Sequence, residues 1–169
     1  MDLRQGSLGG GALGSRDLKG ISGRILLEGR TLRLDQLEAQ AGVLSVLASG
    51  TVELTKGFGL AVDIQSRPAE LSAVWPPSAG ILDGRVLVAG GLRGPASSPA
   101  WEVRAVLLEG RFLGEGLEKA VLRVRGCPSA ILIQEGQIAF KPRGEGGPSG
   151  SVTLAGGALV EIAERGYTT

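Results

Sequence analysis

Few residues in this chain could do chemistry. Asp35 with Glu38, and Glu115 with Glu118, could be written as acid and base pairs, yet on strands or turns such carboxylates are ordinarily solvated surface. Histidine is absent, which removes the commonest general base and the commonest neutral metal ligand. Serines are plentiful, but there is no Gly-x-Ser-x-Gly turn, and no imidazole to activate them. Gly9, Gly11 and Gly14 formally satisfy a dinucleotide fingerprint; that motif must leave a buried strand and open a helix, and Met1 to Leu8 does not read as such a strand. Cys127 is the single cysteine, so neither an intramolecular disulfide nor a multi-cysteine zinc site is expected, and it reads as a small apolar residue. Arg104, Arg111, Arg123 and Arg125 could form a basic strip, but they have acidic neighbours and few aromatic residues for base stacking. They read as a solvated strand face. The expectation is a non-enzymatic chain with no cofactor, no metal and no nucleic-acid partner.

The elements that carry these residues are set by glycine. There are 29 glycines in 169 residues and no asparagine, so turns that need positive φ fall mainly to glycine. Hydrophobic residues make up 43% and charged residues 21%, a composition that folds. Net charge is +1, too little to attract nucleic acid or anionic head groups through a global field. No apolar run approaches the ~20 residues of a membrane span, and Met1 to Gln5 lacks a signal-peptide pattern.

Period-two alternation recurs along the chain. Leu44, Val46, Ala48, Gly50, Val52 and Leu54 share one parity; after a turn at Lys56-Gly57, Phe58, Leu60, Val62 and Ile64 share another. The two runs read as a hairpin. The pattern returns at Val86 and Val88, at Trp101, Val103, Ala105 and Leu107, and at Ala120, Leu122 and Val124. In Leu32 to Ala41 the apolar parity slips near Asp35-Gln36, which predicts a bulge. Prolines mark loops or edges at Pro68, Pro76-Pro77, Gly94 to Pro99 and Lys141 to Pro148, and Ala69 to Trp75 could form a short helix. Ser22-Gly23-Arg24-Ile25-Leu26 echoes Asp83-Gly84-Arg85-Val86-Leu87, and Leu-Leu-Glu-Gly-Arg occurs at Leu26 to Arg30 and Leu107 to Arg111, which suggests a structural repeat. The fold class is all-β.

Two segments carry a family resemblance. Gly84-Arg85-Val86-Leu87-Val88-Ala89-Gly90-Gly91-Leu92-Arg93-Gly94-Pro95, followed by Trp101 to Phe112, resembles the repeating Gly-x-Leu-x-Val-x-Gly-x-Leu-x-x-Pro and strand pattern of TamB, the translocation and assembly module inner-membrane component, and its AsmA-like relatives. Leu32 to Ala39, running into Leu44 to Leu54 with Ala48-Ser49-Gly50-Thr51-Val52, is similar to that family's strand, turn and strand succession. The resemblance covers Leu18 to Arg125 and, less clearly, Ile131 to Ile162.

It implies an elongated, curled antiparallel or mixed sheet, a β-taco with an open groove, built from short glycine-punctuated strands. Residues 1–169 would be one β-repeat segment of a longer, inner-membrane-anchored protein of the periplasm, with 1–17 flexible and 126–169 a weaker continuation. The implied partners are phospholipid acyl chains, moving between inner and outer membranes, and an Omp85-type outer-membrane protein. If the sheet curls around acyl chains, Val46, Val52, Phe58, Leu60, Val62, Ile64, Val86, Val88, Val103, Leu107, Leu122 and Val124 should line one concave face. The rival readings are a structural β-solenoid of the autotransporter-passenger kind and a closed β-sandwich binding module.

Overall fold

The computed structural model describes residues 2–8, 18–41, 43–142 and 150–161. Strands β1 (Asp2–Leu8), β2 (Leu18–Glu28), β3 (Thr31–Ala41), β4 (Leu44–Glu53) and β5 (Gly59–Ser66) are followed by the two-residue β6 (Ala69–Glu70) and helix α1 (Leu71–Val74). A single 3-10 turn at Pro76–Ser78 leads into β7 (Leu82–Pro95), β8 (Ala100–Phe112), β9 (Glu115–Cys127), β10 (Ala130–Phe140) and β11 (Ser151–Glu161).

All the strands belong to one sheet whose order follows the chain from β1 to β11, with β6 beside β7 off the main path. Every pairing is antiparallel. The order does not close on itself, so the molecule is an open all-β meander. No second sheet packs on it among the described residues, which separates it from a sandwich. A solenoid stacks parallel strands, whereas here each strand returns beside its predecessor.

The strands are longer than the glycine spacing predicts. β7 has 14 residues, and β8 and β9 have 13 each, against about 5–6 for a typical strand. Interior glycines and bulges bend these strands without ending them. The expected bulge in β3 is present: Leu34 pairs with Gly50 and Leu37 with Ala48, and the intervening Gln36 has φ 49°. One inserted residue puts Leu37 back on the face of Leu34. Pro95 is accommodated at the end of β7, and the predicted helix is reduced to α1.

Asp2–Leu8 forms a strand that pairs with β2 at one edge of the sheet; an edge strand needs only one partner and no continuous apolar run. Gly9, Gly11 and Gly14 lie outside the described residues, as does the glycine-rich stretch 143–149.

Among the described residues, Ile21, Val62, Val86, Leu117, Ala120 and Val121 are the buried apolar ones. The best-packed region is one end of β8 to β10. There Leu117 is 3% exposed, Gly110 is buried, and the Phe112 and Phe140 rings meet edge to face with centroids 6.2 Å apart.

Candidate functional site

Residues directly opposite one another in an antiparallel ladder project to the same side of the sheet, so the register assigns every paired side chain to a face. One row runs through Ile25, Leu34, Gly50, Val62, Leu92, Trp101, Gly126 and Ile131 on β2 to β10. The adjoining row carries Ala48, Ile64, Gly90, Val103, Val124 and Ile133. Further rows on this face join Leu32, Val52 and Leu60, then Val88, Ala105 and Leu122, then Val86, Leu107, Ala120 and Ile138. We term this the inner face.

Eleven of the twelve residues singled out from sequence share it: Val46, Val52, Leu60, Val62, Ile64, Val86, Val88, Val103, Leu107, Leu122 and Val124. Phe58 does not. It precedes β5 in the turn, has φ 46° and is 53% exposed, because the connection after β4 must reverse before pairing begins at Gly59 with Glu53. Period two cannot be carried through a reversal of that kind.

Away from the strand ends, the inner face is uncharged among the described residues. The described rows contain aliphatic side chains, Trp101 and glycine, with Ser66 as a polar member beside Val46. Ser66 is 5% exposed, and its Oγ accepts the Val88 N–H at 2.9 Å, which satisfies that oxygen as an acceptor. Among the described residues a charged side chain reaches this side at the β8–β9 turn, where Glu115 is opposite Phe112.

Curvature is toward this face. A cavity of about 310 Å³ has Val86, Leu107, Leu122, Ile138 and Leu154 in its wall, with Leu71 of α1. β7 and β11 are four strand steps apart, roughly 19 Å in a flat sheet, so residues from both can line one cavity only where the sheet bends. Glycines allow the bend: a Cβ at Gly90 would collide with the Glu102 carbonyl of β8, and one at Gly50 with the Ala61 carbonyl of β5. Yet the trough stays open. Val62 and Val86 are 7% and 6% exposed, whereas Leu122 is 44%, Leu154 50% and Leu27 64%.

Several inner-face residues were not singled out from sequence. Ile133 and Ile138 have opposite parity, and only the register shift between Ile133 and Glu135 brings both inward. The change of parity was visible; the bulge that reconciles it was not.

The outer face takes the charges. Arg93 pairs with Asp63, Arg123 donates to Glu102 at 2.6 Å, and Arg85 donates to Glu109 at 2.9 Å. Asp35 and Glu38 do not act together: Asp35 is opposite Arg24, while Glu38 is held by Arg67 at 2.8 Å and by the Ser45 hydroxyl at 3.0 Å. Cys127 is more than a small apolar residue. Its Sγ is 3.4 Å from Ser129 Oγ, and hydrogen bonds from the Ser129 side chain and then from its backbone lower the thiol pKa.

Among the described residues no helix is long and apolar enough to cross a membrane. No protein-family model, curated protein or solved structure matches the chain.

Proposed function

We propose that this chain is a lipid-conduit segment of a cell-envelope protein, non-enzymatic, whose inner face shields phospholipid acyl chains between the inner and outer membranes. The observation that supports this reading is an uncharged, half-exposed apolar face that continues over the strands of a sheet with open ends. Contiguous apolar surface of that extent is rare on soluble proteins unless something occupies it. Acyl chains suit it because each methylene moved from water contributes about 0.8 kcal/mol and needs no hydrogen-bonding partner. The family resemblance adds the setting: the periplasm, a membrane-anchored longer protein and an Omp85-type partner.

Photo-crosslinking tests the reading. A photoreactive residue at Leu122, inner and 44% exposed, should capture lipid when the protein is made in cells, and one at the neighbouring outer position Arg123 should not. Native mass spectrometry of the unmodified protein should show co-purifying acyl lipid. Equal labelling at both positions, or none at either, would sink the proposal.

A further inference from the structure

A second concavity of the molecule is not in the trough. It is a cleft of about 720 Å³ whose wall includes Asp63, Arg93, Glu102, Arg104, Arg125 and Cys127. Register places Asp63 beside Gly91, Glu102 opposite Arg125 and Ala89 opposite Arg104, so these side chains belong to the outer face.

The arginines are unevenly satisfied. Arg93 is held by Asp63 and also donates to the Val62 carbonyl at 2.7 Å. Glu102 is opposite Arg125 in register, but its carboxylate is taken by the diagonal Arg123, which donates from Nε at 2.6 Å. Arg125 and Arg104 are left exposed and without an ion pair among the described residues. Arg104 is in turn directly opposite Arg123. Like charges at opposed sheet positions are destabilising, and beside this pair the Arg125 guanidinium is also without an ion pair among the described residues.

We propose that this outer-face cleft binds a phosphate group, with Arg104 and Arg125 supplying the charge-assisted hydrogen bonds and Arg93 closing one side. Guanidinium matches phosphate geometry through paired N–H donors, which a dispersed positive field cannot supply. Here the net charge of the whole chain is only +1, so attraction at this cleft is local. The phosphate comes either from a soluble phosphate compound or from a lipid head group. The site does not depend on what fills the inner face, since it lies on the opposite side of the sheet.

Titration calorimetry with inorganic phosphate, glycerol 3-phosphate and monomeric short-chain phosphatidic acid, on the parent and on an R104Q/R125Q variant, tests the site. The variant changes exposed side chains only, and circular dichroism with a denaturant midpoint verifies its fold. K119Q, a charge loss on the outer side of the same strand as Arg125, is the control. Expected is saturable binding that weakens roughly tenfold per arginine removed and is unchanged in K119Q. Binding of all three probes indicates a soluble phosphate ligand, and binding of phosphatidic acid alone indicates a head group. No binding by the parent, or equal loss in K119Q and R104Q/R125Q, overturns the proposal.

Discussion

Gly23 in β2 and Gly84 in β7 are one structural device used twice. Their φ values are 138° and 133°, and each lies at a register shift, between Ser22 and Arg24 and between Asp83 and Arg85. On the next strand each is matched by a residue of positive φ, Gln36 at 49° and Glu109 at 53°. The Gly-Arg echo in the sequence therefore marks a repeated bend of paired strands. The Leu-Leu-Glu-Gly-Arg echo does not: Gly29 lies in the β2–β3 turn, while Gly110 lies within β8.

Replacing either bend glycine with alanine should destabilise the fold by about 1–3 kcal/mol. A Cβ at Gly23 would stand 2.7 Å from the Gln36 carbonyl oxygen, and one at Gly84 2.9 Å from the Gly110 Cα. Gly29 has φ 62° but nothing within 4 Å of its Cβ position, so Gly29→Ala should cost only about 1 kcal/mol. Denaturant midpoints measure the order. A Gly29 variant less stable than both others would refute the bend assignment.

Charge placed on the inner face should separate packing from occupancy. Val62 is 7% exposed, and Val62→Glu should cost about 3 kcal/mol or more through burial of a carboxylate. Leu122, at 44% exposed, should tolerate glutamate within about 1 kcal/mol while losing co-purifying lipid. If Leu122→Glu folds and retains the parent's lipid content, the trough is not the lipid site.

The Cys127 thiol should react at lower pH than an ordinary cysteine. Hydrogen bonds from the Ser129 hydroxyl and from the Ser129 and Ala130 backbone stabilise the thiolate, which lowers the pKa. The rate of alkylation by iodoacetamide should therefore rise at lower pH than for a free thiol, and Ser129→Ala should move that rise upward. An unchanged profile would show that Ser129 does not set it.

Alternation between Ile25 and Val124 was enough to identify the strands and to sort most of their side chains into an apolar and a polar set, because strand side chains alternate with period two whatever the strand packs against. The bulge at Gln36 was legible for the same reason: the apolar parity changes within an otherwise continuous run. Tertiary structure decided what the apolar face meets. The same alternation serves a closed sandwich and an open trough, and the difference lies in whether a second sheet arrives, which depends on long-range pairing and curvature. It also decided Phe58, whose parity fits β5 but whose place in the turn removes it, and Ile138, brought inward by an extra residue in β10. The arginine cleft is a tertiary feature throughout. Arg93, Arg104 and Arg125 come from three strands; cross-strand register brings them to one cleft, and the diagonal Arg123–Glu102 pair leaves Arg104 and Arg125 without an ion pair beside it.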